Sequence, residues 1–404
     1  MNREILTEAV QQFLKDNAET NAEKLALSKS PFEKISSSEL ALQIESRQKA
    51  KSKLPLWYFT DLIYYPPSVS IEQASSEKTA IYKATLIKDG ESLIDLTGGF
   101  GVDVFYFSRK AKKVVHCEIN SELSEIVKYN TSQLGAQNIQ FFQGNGIDFL
   151  LNNDNQNDSL TETLYDTVFI DPSRRVNTRK VFKLDDCEPN IIEWQQDIFK
   201  KSSRIIIKTS PLLDISLSLS QLKNVKEVHV ISIKNECKEL LFILEKGYIG
   251  EIQIHAILLN DHELRFSFLA DQEKNTPLLL GEPMNYLYDP DSALLKAGCF
   301  KLIAERFNLK KLHLNTHLYS SESKVQYFPG RVFRIEEILN YKDFKKIKTA
   351  LSANVITKNF PLNVEAIRKK HKIGESKNKF MFFCKTSDET LKVILAEREE
   401  PDSK

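Results

Sequence analysis

A glycine-rich turn with an acidic residue at each end is the segment of this sequence best suited to hold a nucleotide. Residues 95–103 read DLTGGFGVD and lie between the apolar runs SLI and VFYFS. Gly99 and Gly101 let the backbone approach a ligand closely, where any Cβ would clash. The helix expected after them offers unpaired N–H groups and the positive end of its dipole. Doubly wound sheets bind nucleotides at such a turn, at the carboxyl end of the first strand.

The glycine spacing distinguishes between two nucleotide ligands. A dinucleotide fingerprint requires G-x-G-x-x-G, or alanine at the last position, but here Val104 occupies the place of close helix–strand packing. The segment instead resembles motif I of class I S-adenosylmethionine (SAM) methyltransferases, acid-x-Gly-x-Gly-x-Gly, with Thr97 in place of the first glycine. The sequence therefore favours SAM as the cofactor.

The ends of the following strands extend this resemblance. The run VVHCEI places Glu118 23 residues after Asp95, and a carboxylate there can accept both ribose hydroxyls. A third strand ends at Asn145, where such enzymes often place a side chain at the adenine. Residues just upstream of the turn are expected to close over the cofactor. The complete set of implied cofactor-binding residues is Gln73, Ser75, Ser76, Asp95, Thr97, Gly99, Gly101, Asp103, Glu118, Ile119 and Asn145.

A second motif, at the end of the fourth strand, carries the residues expected to receive the methyl group. The run YDTVFI ends at Asp171, Pro172, Ser173 and Arg174. It resembles the Asp/Asn-Pro-Pro-aromatic motif of amine methyltransferases in its first two residues, while Ser173 and Arg174 depart from it. The resemblance implies that the side chain and a prolyl carbonyl position an amine, since positioning provides most of the rate with an activated methyl donor. Arg174 is a candidate for holding a phosphate or stacking on a base.

The fifth strand supplies an alternative chemistry. It ends IIIKTSP, so Lys208 is expected to face the same pocket as Asp171. Together they could deprotonate a ribose hydroxyl, with Lys208 as the base. Methylation of pyrimidine carbon 5 requires a cysteine nucleophile, and no Pro-Cys follows either strand. Amine and oxygen methylation therefore both remain open at this point.

The elements that position these residues follow from the strand–helix alternation after residue 92. It predicts an α/β fold with a parallel, Rossmann-like doubly wound sheet. The runs VKEVHVISI and KELLFILEKG are predicted to form an antiparallel pair that finishes the sheet. Residues 1–60 show helical periodicity, with a capping box formed by Ser36 and Glu39.

The C-terminal part of the chain predicts smaller α/β modules. We expect a hairpin from EIQIHAILLN and ELRFSFLAD, one helix over DSALLKAGCFKLIAERF and one strand over KLHLNTHLY. A β-α-β-α-β-β tail follows, with its first helix over DFKKIKTALSA. His313 and His317 lie four residues apart in the predicted strand, where such positions are well separated. They are therefore interpreted as structural, and no metal site is predicted.

Charge and composition indicate a soluble cytoplasmic protein with a polyanionic partner. The chain has 56 Lys+Arg against 55 Asp+Glu, but residues 341–385 alone hold 12 basic and 3 acidic residues. A basic module on a neutral-to-acidic body is typical of nucleic-acid binding. No apolar run reaches the ~18–20 residues that cross a bilayer. The N-terminus lacks the features of a secretory signal, and the five cysteines are scattered.

Several segments together resemble bacterial class I SAM-dependent methyltransferases with C-terminal ferredoxin-like and THUMP-like domains. They are EQASSEKTAIYKA, DLTGGFGVD, DPSRR, KTSPLLD, DPDSALLKAG, NTHLYSS, FPGRVF and NVITKNFPLNVEAIRKKHKI. The resemblance implies a helical region over 1–70, a methyltransferase domain over 71–248, a ferredoxin-like domain over 249–330 and a basic THUMP-like domain over 331–398. Since THUMP-type modules in related enzymes bind structured RNA, it also implies a tRNA or rRNA substrate, bound through residues 341–385.

The modified atom is expected to be a base amine, because this form of motif I is similar to that of enzymes that methylate guanine N2. Three alternatives stay open. The acceptor could be a ribose hydroxyl, or it could be a small molecule or a protein. The chain could also bind SAM and RNA without catalysis.

Overall fold

Two units make up the chain: Met1–Lys226 with Leu241–Ile249, and Glu227–Leu240 with Gly250–Lys404. The computed structural model describes residues 1–152, 164–174, 183–347, 349 and 351–400, and the side chain of Arg174 lies outside the described part. Among the described helices, none has the length and apolar character needed to cross a membrane.

Helices precede the first strand of the first unit, as the periodicity of residues 1–60 predicts. They are α1 (Glu8–Asp16), α2 (Ala22–Ala26), α3 (Ser37–Lys53), α4 (Pro55–Phe59), α5 (Ser68–Gln73) and α6 (Glu77–Ala84). The predicted capping box is present, because Ser36 and Glu39 each accept a backbone N–H of the other at the start of α3. Trp57 is buried, with its ring centroid 5.1 Å from that of Phe105, so this helical part shares a core with the domain that follows.

A parallel sheet forms the centre of the first unit and confirms the predicted Rossmann-like fold. The elements of this part of the chain are β1 (Ser92–Asp95), α7 (Val102–Ser108), β2 (Lys113–Glu118), α8 (Ser121–Gln133), β3 (Ile139–Gln143), α9 (Gly146–Asn152), β4 (Tyr165–Ile170), β5 (Ser173–Arg174), β6 (Cys187–Glu188), α10 (Ile191–Lys201), β7 (Ser202–Thr209) and α11 (Ile215–Gln221). The strands β5 and β6 form a separate two-stranded ladder. The strand order β7-β4-β1-β2-β3 places the topological switch point between β1 and β4, where such sheets bind ligands.

The predicted pair of strands after α11 exists but does not finish the sheet. β8 (Val225–Ile233) and β9 (Glu236–Glu245) form a hairpin whose turn residues, Lys234 and Asn235, have φ of 51° and 62°. In the second unit, β10 (Gln253–Leu259) pairs in parallel with β8, and β11 (Glu263–Leu269) pairs antiparallel with β10. The predicted hairpin of β10 and β11 therefore extends a sheet, because β8 leaves a backbone edge that β10 can pair with.

A second sheet organises the rest of the second unit. The elements are α12 (Gln272–Asn275), β12 (Tyr286–Pro290), α13 (Ser292–Ala297), α14 (Phe300–Arg306), β13 (Lys310–His313), β14 (Thr316–Ser321), β15 (Gly330–Asn340), α15 (Tyr341–Phe344), β16 (Leu351–Ser352), β17 (Asn354–Lys358), α16 (Val364–His371), β18 (Ile373–Gly374), β19 (Lys379–Lys385) and β20 (Leu391–Arg398). The seven strands run in the order β13-β14-β12-β15-β20-β19-β17. Asp289 of β12 is buried and ion-paired with Arg331 and Lys358.

Three predicted elements of this unit differ from the structure. The predicted helix over 291–307 is two helices, because Gly298 adopts φ 78° and ends α13. The predicted strand over 311–319 is the hairpin of β13 and β14, in which Lys311 pairs with Tyr319. The predicted helix over 343–353 is limited to α15, which ends at Phe344; residues 348 and 350 lie outside the described part of the chain.

Candidate cofactor and acceptor site

The glycine turn between β1 and α7 has the conformation that the motif requires. Gly99 and Gly101 have φ of 54° and 72°, in the left-handed region. A Cβ on Gly101 would lie 2.3 Å from Cγ1 of Val127 in α8, whereas the nearest heavy atom to a Cβ on Gly99 would be 3.8 Å away. Gly101 therefore permits close packing of the turn against α8, and Gly99 leaves open space on the other side of the turn.

The side chain of His116 in β2 packs against this turn at Gly98, a contact that sequence reasoning missed. Its imidazole is fully buried, and a Cβ on Gly98 would lie 2.2 Å from its Nε2. Burial lowers the pKa of His116 to about 4, so the ring is neutral at physiological pH. The adjacent glycines Gly98 and Gly99 could have indicated this contact, because Gly99 provides the left-handed turn and Gly98 is needed only if a side chain packs against the backbone there.

Glu118, at the end of β2, is fixed at the rim of the turn. One carboxylate oxygen, Oε2, accepts the Gly99 N–H at 2.9 Å, and Oε1 accepts the Asn120 N–H at 2.7 Å. A carboxylate has about four acceptor positions, so two further hydroxyl donors can be accommodated. Ile119, next in the chain, is 72% exposed and offers an apolar surface beside the carboxylate.

Asn145 lies in the loop that joins β3 to α9. Its Oδ1 accepts the Ile147 N–H at 2.9 Å, so the side chain caps α9. The loop approaches the end of β1 closely, because a Cβ on Gly146 would lie 2.4 Å from the carbonyl oxygen of Leu96. Asn145 is exposed and retains its amide NH₂ as a donor.

Thr97 connects the glycine turn to Asp171, the first residue of the predicted acceptor motif, which gives a structural reason for a threonine at this position. Its Oγ1 accepts the backbone N–H of Asp171 at 2.7 Å. Asp95 Oδ1 accepts the Thr97 N–H at 2.9 Å and lies 3.3 Å from Thr97 Oγ1. Glycine cannot form the side-chain bonds. Burial, with the neighbouring negative charges of Asp103 and Asp171, raises the pKa of Asp95 to about 8.

A buried group of three polar side chains holds the start of α7 against α6. Ser75 Oγ donates to Asp103 Oδ2 at 2.7 Å, and Lys83 Nζ lies 2.6 Å from Ser75 Oγ and 3.0 Å from Asp103 Oδ1. Burial alone would raise the pKa of Asp103, but the positive charges of Lys83 and Lys208 lower it. The sequence identified Ser75 and Asp103 but not Lys83, because a lysine at a helical position normally indicates a solvated face.

The other two upstream candidates have different surroundings. Ser76 is the N-cap of α6, and its Oγ accepts the Thr79 N–H at 3.3 Å. Gln73 is the last residue of α5, and its side chain is exposed. Ser76 therefore has a local structural task, while Gln73 presents an amide to solvent near the buried group.

The predicted acceptor motif lies where the carboxyl ends of β4 and β7 meet. Asp171 Oδ2 is ion-paired with Lys208 Nζ, as the sequence predicts for neighbouring strand ends. Pro172 is buried and Ser173 is exposed. The backbone of Ser173 pairs with Glu188 in the short β5–β6 ladder, and the adjacent Arg174 pairs with Cys187. The side chain of Arg174 lies outside the described part of the chain, so its role in holding a phosphate or stacking on a base stays a prediction.

Comparisons with known proteins agree with this architecture. Residues 67–169 match the ubiE/COQ5 methyltransferase family. Residues 286–329 match a ferredoxin-like domain, and residues 330–398 match a THUMP domain-like family. No curated protein matches the chain significantly.

Solved structures include one that resembles the whole chain. A proposed methyltransferase from Porphyromonas gingivalis W83 is 29% identical, with a TM-score of 0.85 and coverage of 99% of both chains. M. capricolum TrmK, solved with S-adenosylhomocysteine, is 19% identical over 43% of this chain and 70% of its own, with a TM-score of 0.32. The M. jannaschii tRNA m1G37 methyltransferase is 14% identical over 43% of this chain and 50% of its own, with a TM-score of 0.28. The last two similarities are too low to support an argument.

The family matches, the whole-chain structural similarity and the geometry of the turn lead to one classification. The chain is a SAM-dependent methyltransferase whose C-terminal part matches ferredoxin-like and THUMP-like domain families.

Proposed function

We propose that this methyltransferase modifies a base amine, of the guanine N2 type, in structured tRNA or rRNA. The observation that carries the proposal is the hydrogen bond from the Asp171 N–H to Thr97 Oγ1. It ties the residue expected to hold the acceptor amine to the turn expected to hold the cofactor. A second observation, the basic surface of the THUMP-like segment, supports RNA as the substrate.

The residues around the turn fit a cationic cofactor with a ribose. Three carboxylates, those of Asp95, Asp103 and Asp171, interact electrostatically around the turn, together with the two ammonium groups of Lys83 and Lys208. Because burial keeps Asp95 largely protonated near pH 7, a bound sulfonium would favour its ionised form, so this carboxyl group can supply a compensating negative charge when the cation binds. The remaining acceptor capacity of the Glu118 carboxylate suits the two ribose hydroxyls. SAM supplies a methyl group that is already activated for transfer.

The protein's own part in the reaction is then to position the acceptor. The Asp171 carboxylate accepts one N–H of the amine, and the Pro172 carbonyl accepts the other, so that the nitrogen lone pair is directed toward the cofactor. Lys208 holds the Asp171 carboxylate in place through their ion pair. As the new N–C bond forms and the S–C bond breaks, the amine loses a proton to the carboxylate or to water. Positioning of this kind removes entropy from the barrier.

The basic surface that supports an RNA substrate lies in residues 341–385. The exposed basic residues on α16 and after it are Lys369, Lys370, Lys372, Lys377 and Lys379. Contacts between lysines and phosphates release counterions, so binding weakens as salt increases. Lys348 of the same region lies outside the described residues.

The first experiment measures transfer of labelled methyl from SAM into total RNA. RNA from a strain lacking this gene should accept label, and RNA from the parent strain should not, because its sites are already modified. Asp171→Ala should abolish transfer and retain SAM binding, whereas Asp197→Ala, on α10, is the matched control and should transfer normally. No label, with SAM binding confirmed, would reject RNA as the acceptor. Label in Asp171→Ala equal to wild type would reject the acceptor site.

The contact between Asp171 and Lys208 also favours a second candidate, methylation of a ribose hydroxyl. Digestion of the labelled RNA to nucleosides separates the two candidates. Label on the base supports the amine, and label on the ribose supports the oxygen.

The RNA-binding surface has its own test. Lys369→Gln and Lys372→Gln should each reduce the slope of log K against log salt by about 1. Lys113→Gln is the matched control, because Lys113 is exposed at the opposite end of β2 from Glu118. Equal slopes for all three variants would contradict the assignment of this surface.

A further inference from the structure

Three potential metal ligands lie on one face of the β8–β10 pair, apart from the residues proposed for methyl transfer. Glu227 and His229 are two residues apart in β8, so they point to the same face of the sheet. His255 of β10 is the register partner of His229 in this parallel pair. All three belong to the second unit, and sequence reasoning missed them because the two histidines lie on different strands, far apart in the chain.

The side-chain atoms converge. His229 Nε2 lies 3.0 Å from Glu227 Oε2, and His255 Nε2 lies 3.8 Å from the same oxygen. One ligand atom from each residue lies within 4.8 Å of the others. Tetrahedral zinc with bonds of about 2.0–2.1 Å requires ligand atoms about 3.3 Å apart. The observed separations bracket that value, so small side-chain rotations suffice.

A hydrogen bond orients one histidine in the way that metal sites require. Ser267 of β11, the register partner of His255, has its Oγ 2.7 Å from His255 Nδ1. When Ser267 Oγ accepts the Nδ1–H, Nε2 carries the lone pair and faces Glu227. Metal-binding histidines almost always have such a partner on the second ring nitrogen.

The site combines two buried imidazoles with one partly exposed carboxylate. His229 is 1% exposed and His255 is 6% exposed. The Glu227 side chain is 26% exposed, which leaves access from solvent. Arg265 of β11 contributes a positive charge at the histidines, which reduces the affinity for a cation without removing a ligand.

We propose that Glu227, His229 and His255 bind one divalent transition-metal ion, and that Zn²⁺ is the ion that fits best. Two imidazoles and one carboxylate suit zinc, whereas Mg²⁺ and Ca²⁺ prefer oxygen ligands. The fourth coordination position is filled by water entering beside Glu227. The ion joins β8 to β10 and stabilises the fold. This role is independent of the proposed methyl transfer.

The test is metal titration of the full-length chain after treatment with a chelator. Co²⁺ reports its coordination through visible absorption bands, and Zn²⁺ binding is measured by calorimetry and by competition with Co²⁺. We expect one ion per chain, no displacement by excess Mg²⁺, and a rise in melting temperature on metal addition, because the folded state alone contains the site.

Variants locate the ion. Glu227→Gln, at a partly exposed position, preserves shape and should remove high-affinity binding, as should His255→Gln. Ser267→Ala should weaken binding about 10- to 100-fold. His262→Ala, in the exposed β10–β11 turn, is the matched control and should bind normally. Absence of stoichiometric binding in the wild type would overturn the proposal. So would unchanged affinity in Glu227→Gln, a variant that is expected to fold even if substitution of a buried histidine does not.

Discussion

Replacing Gly98 with alanine tests the packing beneath the cofactor turn. The added Cβ would lie 2.2, 2.4 and 2.6 Å from three ring atoms of His116, where ordinary contacts begin near 3.4 Å. The ring or the turn must therefore move by about 1 Å, and His116 is fully buried in a close-packed interior. Overpacking of this kind costs about 1–3 kcal/mol, and the depth of the overlap places this variant near 3 kcal/mol.

Urea unfolding, followed by circular dichroism, measures the loss, and calorimetry with SAM measures the effect on the turn. About 3 kcal/mol corresponds to roughly a 100-fold decrease in the ratio of folded to unfolded protein. We also expect weaker SAM binding in Gly98→Ala, because the Gly99 N–H that fixes Glu118 lies one residue beyond the clash.

A double-mutant cycle separates this clash from a general intolerance of the turn. His116→Ala alone leaves a cavity and should cost about 2–4 kcal/mol. In that background the methyl group added at position 98 enters the vacated space, so Gly98→Ala should cost less than about 1 kcal/mol. Additive costs in the double variant would refute the reasoning, as would a Gly98→Ala single variant as stable as the wild type.

Three further predictions concern the buried polar groups. Lys83→Met leaves the buried Asp103 carboxylate without its direct ion-pair partner, which should cost about 3–5 kcal/mol near neutral pH. The wild-type pKa of Asp103 is lowered, so the contribution of this carboxylate to stability is lost as the pH falls through that pKa. Urea unfolding should therefore show that the stability difference between wild type and Lys83→Met shrinks at low pH. Burial raises the pKa of Asp95 to about 8, so between pH 5 and 8 the group stays protonated in the folded state and ionises in the unfolded state. The free energy of unfolding should therefore fall by about 1.4 kcal/mol for each unit that the pH rises, and Asp95→Asn should flatten that slope. Thr97→Val leaves the Asp171 N–H without its acceptor and should lower methyl transfer more than SAM binding, whereas Thr97→Ser should behave as wild type in both assays.

Much of the first unit could be predicted from sequence because its signals are local. Alternating apolar runs specify parallel strands, and the glycine turn follows the first of them. The pairing of Asp171 with Lys208 could also be anticipated, since both residues end strands that are neighbours in a doubly wound order. Lys83 and His116 could not, because their importance depends on which chain segments approach them in three dimensions.

The errors in the second unit have a similar origin. A single glycine within an apolar pattern is compatible with a continuous helix, and only the left-handed conformation that Gly298 adopts in the fold ends α13. The run KLHLNTHLY has the composition of one strand, and it folds back because β14 pairs on its other side with β12. The pairing of β10 with the edge of β8 likewise depends on the path of the chain in three dimensions, which the local sequence does not specify.

The sheet of the second unit limits how its two matched segments could be exchanged between proteins. The boundary between the ferredoxin-like and THUMP-like matches falls at residues 329 and 330, yet β12 on one side pairs with β15 on the other along its whole length. Cutting there would expose the edge of β12 and deprive the buried Asp289 of both its cations, Arg331 and Lys358. The two segments therefore form one transplantable part, and a chimera that borrows either of them should take residues 286–398 together.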